Sequence, residues 1–250
     1  MLLNKKFSPL FVILLSIVCI SGTAAVCRFG FTEPVAAEAE RSPEELYQAA
    51  VLDAVIAEED EILPLVTITQ DSPLVTWKDG DVLLMTLNDQ PERYVEGETI
   101  ELPEEVWTFT DKEIAAWYPE HKKGVTDWTQ RLKQLVGVQP DGNYTHVTAM
   151  WVSTEDICRP AYLTDITTDE MQNVLPEDTP EEYREWFENN ILWSYFDSSY
   201  PWTRLGYTYD WAENSGEYGV TEFLVRPGAA VTIEYTDTVN QFVERLEAGQ

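Results

Sequence analysis

Twenty-one residues in succession, Phe7 to Cys27, carry no charge, and they set apart the portion of the chain that is free to fold as a globule. Lys5 and Lys6 precede the stretch, its apolar middle runs from Leu10 to Ile20, and it closes on the small residues Ser21 to Ala25. A basic start, a greasy middle and a small-residue exit are the order of a secretory signal. The densest part is 11 residues, short of the ~20 that span a bilayer, although extension to Cys27 reaches that length. Residues 1–27 are therefore expected to be a signal peptide, cleaved, or a signal-anchor, retained. In both cases Lys5 and Lys6 hold the start in the cytoplasm and the acidic remainder is exported. The expected location is extracellular or in the cell envelope, with any anchoring and any membrane contact confined to residues 7–27.

Residues 28–41, with Pro34 and alternating Ala and Glu from Ala37 to Glu40, lack periodicity and read as a flexible acidic tether. The remainder, 42–250, is long enough for one fairly large domain. With 9 Trp, 12 Tyr and 5 of the chain's 9 Phe it can bury a core without staples, which excludes disorder. It has to, because Cys158 is the lone cysteine beyond the leader and offers no intrachain disulfide. Valines stand just before Cys19 and Cys27, where lipid attachment calls for a small residue. The net charge of -29 repels nucleic acid and anionic lipid, so neither is expected as a partner of the exported part. His121, His146 and Cys158 have no zinc-type spacing, and no metal or other cofactor is expected.

Local patterns predict a mixed fold. Ser42-Pro-Glu-Glu45 has the form of a capping box, and Leu46, Ala50, Val51, Ala54 and Val55 follow on one helical stripe. Val66–Thr69, Val75–Trp77 and Val82–Leu87 read as strands, with a tight turn at Lys78-Asp-Gly-Asp81. Further strands are expected within 94–102, 106–109, 144–152, 221–225 and 231–235. Thr110-Asp-Lys-Glu113 repeats the capping-box pattern and opens a short helix through Trp117. Other helices are expected at 127–136, after Thr179-Pro-Glu-Glu182, and at the end, where Val239, Phe242, Val243 and Leu246 keep helical spacing. Mixed order with hairpin turns predicts an α+β single domain: a mostly antiparallel mixed sheet with several short helices.

Chemistry concentrates in Tyr200–Trp211, where five aromatics, Arg204 and Asp210 share twelve residues. Exposed, Trp202, Tyr207, Tyr209 and Trp211 make a platform for a sugar ring or peptide, with Arg204 and Asp210 reading polar groups. Buried, the same aromatics fill the core from a strand while Arg204 pairs with Asp210 or a carbonyl; both readings stay open. Asp210, Glu217 and Glu222 are the catalytic candidates, since glycoside hydrolysis needs two carboxylates about 5–9.5 Å apart in unequal environments. Among 45 acidic residues such proximity also arises by chance. Asp210, Asn214 and Glu217 lack the spacing of a calcium loop. There is no Gly-x-Ser-x-Gly, phosphate loop or dinucleotide fingerprint.

Arg131–Pro140, Met150–Pro160, Tyr200–Trp211 and Tyr218–Gly228 resemble segments of an uncharacterised group of exported bacterial proteins, the string Pro201-Trp-Thr-Arg-Leu-Gly-Tyr-Thr-Tyr-Asp-Trp211 most specifically. The resemblance implies an exported single domain and no particular activity. In that group a cysteine follows the Arg-Pro pair; Ala161 holds that place here, so the disulfide the resemblance implies loses its position. The functional expectation is a non-catalytic domain binding a glycan, an envelope component or a protein through residues 200–222. The alternatives are a carboxylate-dependent glycan hydrolase and a secreted protein-interaction domain.

Overall fold

Ser42 starts the first helix as its sequence demands. Its hydroxyl accepts from Glu45 N at 3.2 Å and its own N–H donates to the Glu45 carboxylate at 2.8 Å, opening α1 (Pro43–Asp53). The computed structural model describes residues 41–249; the expected leader, and the expected tether up to Glu40, lie outside the described residues. After α1 come β1 (Trp77–Lys78), β2 (Asp81–Asn88), β3 (Thr99–Glu101), β4 (Val106–Thr110), α2 (Asp111–His121) and α3 (Trp128–Leu135). Then follow β5 (His146–Ser153), β6 (Ile157–Cys158), α4 (Glu181–Leu192), β7 (Tyr207–Asp210), β8 (Glu217–Thr221), β9 (Phe223–Val225), β10 (Ala230–Thr238) and α5 (Val239–Ala248).

Eight strands form one sheet in the order β3-β10-β5-β2-β4-β9-β6, with β1 beside β2, and every pairing is antiparallel. The fold is α+β. Asp79 and Gly80 both take positive φ in the turn joining β1 to β2, as a two-residue hairpin requires. At the centre, β2 is buried on both faces. Leu83, Met85 and Leu87 meet Ile114, Tyr118, Leu132, Leu135 and Phe242 from α2, α3 and α5. Val82 and Leu84 point the other way, onto Val66, Ile68, Val75 and Ile166. That period-two division gives the sheet a helical cover on one face and an irregular one on the other. Among the described residues no helix is long and apolar enough to cross a membrane.

Two expectations meet a competing partner. Val66–Thr69 is extended but joins no strand, because its backbone is taken up elsewhere. Ile68 N donates to Ile166 O (2.8 Å), Val66 N to Thr221 Oγ1 (3.0 Å), and Val66 O accepts from Arg159 (2.9 Å). The second capping box does not close: Glu113 turns inward and accepts from Thr221 N and Thr221 Oγ1 at 3.0 and 3.1 Å. Burial pushes the Glu113 carboxyl up to about 7 against those hydrogen bonds, and Thr110 Oγ1 stays without a partner.

The hairpin β7–β8 stands beside the sheet and packs on the end of α3. Thr208 Oγ1 donates to Leu135 O at 2.7 Å. A Cβ on Gly219 would sit 2.2 Å from Leu135 O and from Thr208 Oγ1, so only glycine permits this approach. Gly219→Ala is expected to cost about 1–3 kcal/mol as the backbones are forced apart. The check is a lower urea midpoint at unchanged slope.

Candidate functional site

A fork in the sheet makes the site. β4 pairs with β9 through Val106, Trp107 and Thr108, but with β2 only at Leu84–Thr110 and Met85–Phe109. Beyond those two pairs the strands part, and residues 86–90 and 104–109 line a cavity of about 310 Å³. Val136–Val138 after α3, Tyr144, Tyr200–Trp202 and Tyr207–Tyr209 contribute further parts of its wall. Trp193 does so from a turn, Trp193–Asp197, wound as a π-helix; its carbonyl accepts from Ser198 N at 2.8 Å. Wide turns of this kind recur at functional sites because the extra residue re-aims a side chain. Trp193 is 48% exposed and stacks on Tyr200, ring centres 5.1 Å apart.

Glu222 is the unusual member of the lining. It stands where the chain leaves β8, paired with β7, and enters β9, paired with β4. The residue is 9% exposed, and among the described residues no donor or cation reaches its carboxyl. Burial alone pushes that carboxyl from 4.5 up to about 8. A buried carboxyl ordinarily finds a partner, because leaving one unpaired is costly. Asn88 repeats the theme. Its Nδ2 donates to Thr148 Oγ1 at 2.9 Å, while its buried Oδ1 has no donor. Glu105 lines the cavity too and accepts from Trp186 Nε1 at 3.0 Å; burial pushes it up as well.

Of the residues singled out in the sequence, Trp202, Tyr207, Tyr209 and Glu222 line this cavity; Arg204, Asp210, Trp211 and Glu217 do not. The exposed aromatic shelf is absent, since Trp202, Tyr207 and Trp211 are buried. Each has its polar edge satisfied by a carbonyl: Trp202 Nε1 by Pro160 O, Tyr207 OH by Glu61 O and Trp211 Nε1 by Val138 O, all at 3.0 Å. Trp211 also meets Tyr47 of α1 edge-on. Arg204 and Asp210 are not partners. Arg204 Nη2 donates to Ala54 O and Val55 O, both at 2.8 Å, whereas Asp210 accepts two bonds from Arg131 at 2.6 and 3.0 Å.

Glu217 lies apart, with Asp53 and Glu61, their carboxylate oxygens within 4.8 Å of one another. Partial burial and the neighbouring Asp53 carboxylate raise both Glu61 and Glu217. A second depression, about 800 Å³, lies beside the cavity and shares Glu105; Tyr162, Tyr183, Trp186 and Arg226 line it. It is the larger of the two, but Glu222 belongs to the smaller. Residues 86–90, 104–109 and 193 carry no motif that marks them as a site. The one signal there is polar Thr86 and Asn88 at the end of an otherwise apolar central strand.

Compared with family models, with curated proteins and with solved structures, the chain matches none.

Proposed function

We propose that this is an exported, non-catalytic ligand-binding protein whose site is the cavity in the β2–β4 fork. The observation that carries the reading is Glu222: a buried carboxyl, held without a partner, in the wall of a cavity. Its size is at the small end of ligand pockets, roughly 300–1,000 Å³, and its lining mixes aromatics with a few polar groups as such pockets do. Export rests on the order of charge, grease and small residues across 1–27 and on the acidic remainder.

The hydrolase alternative needs an ionised carboxylate across the cavity from a protonated one. Asp210 is committed to Arg131 and Glu217 lies with Asp53 and Glu61, outside the cavity, so neither of the acids that the sequence groups with Glu222 fits that part. A screen of small molecules, glycans and envelope fragments by thermal shift tests the reading. A tight ligand stabilises by about 2.7 kcal/mol at a hundredfold excess over its dissociation constant. Trp193→Ala, at the half-exposed rim, is expected to lower the unliganded melting temperature only slightly, through the lost Tyr200 stack, and to weaken binding several-fold, as loss of an aromatic contact of ~0.5–1.5 kcal/mol implies. Shifts that survive Trp193→Ala and Glu222→Gln alike place the site elsewhere.

A further inference from the structure

Several of the cavity's donors are committed elsewhere, while two of its acceptors have no partner. Thr108 donates to Phe223 O (3.0 Å), Thr208 to Leu135 O (2.7 Å) and Trp202 to Pro160 O (3.0 Å). Tyr209 OH donates to Asp53 at 2.9 Å, and the lining's one cation, Arg93, is held by Glu104 at 2.8 Å. Against these stand Glu222 and Asn88 Oδ1, acceptors with no donor among the described residues. Asp89 and Glu105 add two further acids to the wall. Trp107, Tyr144, Trp193 and Tyr200 surround the space with aromatic residues, whose faces attract cations. A protonated amine matches this lining: its ammonium group is all donor, carries charge and cannot accept. The chain's net charge of -29 draws the same class of molecule towards the protein.

We infer that the cavity takes a small primary amine in its protonated form, the ammonium group seated on the Glu222 carboxylate and the carbon body against the aromatic wall. This rests on the cavity being a ligand site, and it adds a chemical class. The step it requires is a proton transfer with simple balance: Glu222, protonated in the free cavity, gives its proton to solvent as the ammonium arrives. Asp89, Arg93, Glu104 and Glu105 share the cavity with it, and Tyr195 faces it from the π-turn. Of these, Glu105 is the other carboxyl that burial raises, so it is tested separately.

The experiment is calorimetric titration of the full chain with phenethylamine and isoamylamine, each against its matched alcohol, in buffers of different ionisation enthalpy. The amines are expected to bind at least about tenfold tighter than the alcohols, since an opposed buried charge is worth more than a neutral hydrogen bond. Binding near neutral pH should release close to one proton. Amine affinity should rise about tenfold per pH unit from about pH 6 to about pH 8, because the ionised fraction of Glu222 rises so. Glu222→Gln should abolish the proton release and lower amine affinity at least about tenfold at the upper end of that range, while Glu105→Gln keeps the release. Amines and alcohols binding alike, with Glu222→Gln indifferent, would overturn the amine assignment and leave the cavity as the site. No binding by either amine would also overturn it, and the broad screen with Trp193→Ala then decides whether the cavity binds anything.

Discussion

Arg159→Met is expected to remove roughly 3–6 kcal/mol of stability, enough to unfold much of a domain worth about 5–15 kcal/mol. Arg159 is fully buried, yet it has no carboxylate partner among the described residues; its guanidinium is solvated by backbone. Nη1 donates to Asp165 O at 2.6 Å and Thr168 O at 2.9 Å, and Nη2 to Val66 O at 2.9 Å. Burial brings its pKa down to about 10, and the charged head lies over the Phe223 ring, 5.7 Å from its centre. One side chain thus joins the loop after β6 to the extended segment at 65–68, and both cover the sheet's second face. Methionine keeps most of the packed volume and strands three carbonyls, each worth ~1–3 kcal/mol. Lysine has no fork with which to reach all three and should recover only part of the loss. Equilibrium unfolding in urea reads the effect; a loss below about 1 kcal/mol would mean that other groups satisfy those carbonyls.

Glu222→Gln should act in the opposite sense, making the protein more stable. In the unfolded chain Glu222 ionises with a value near 4.5, whereas in the fold it stays protonated to about 8. Above 4.5 the native state therefore holds one proton that the unfolded state has released, so raising the pH favours unfolding. The cost grows by about 1.4 kcal/mol per pH unit until the folded carboxyl ionises, and reaches roughly 3 kcal/mol near pH 7. Glutamine is neutral in both states and escapes it. The variant and the native chain should match in stability at about pH 4 and diverge steadily above it. Glu113 imposes a slope of the same sign and is common to both proteins, so the difference isolates Glu222. Equal stability across that range would mean that Glu222 ionises freely. A residue whose removal stabilises the fold is what a retained binding group produces.

The elements were legible wherever a local rule had no rival. Ser42 and Glu45 close their box in solvent, and Val239, Phe242 and Val243 bury the stripe their spacing defines. Thr110 and Glu113 follow the same capping-box pattern, but a buried amide at Thr221, 108 residues away in sequence, needs the carboxylate more. Val66–Thr69 has strand composition and loses its ladder to Arg159, Thr221 and Ile166 in the same way. The aromatic string at 200–211 showed where side chains gather and not which way they face. Three of its rings turned inward because carbonyls of Glu61, Val138 and Pro160 lie within their reach. Glu222 was visible in the sequence as one of three candidate acids beside the aromatic string, with nothing to rank it above Asp210 and Glu217. What distinguishes it is the lack of a partner, a property of the folded surroundings that no local pattern carries.

Carbon-detected NMR of the Glu222 carboxyl in the full chain, followed across pH with and without phenethylamine, puts the buried group itself on trial. It should titrate near 8 alone and be ionised at neutral pH once the amine is bound. A carboxyl that titrates near its ordinary 4.5 and ignores the amine would contradict the account.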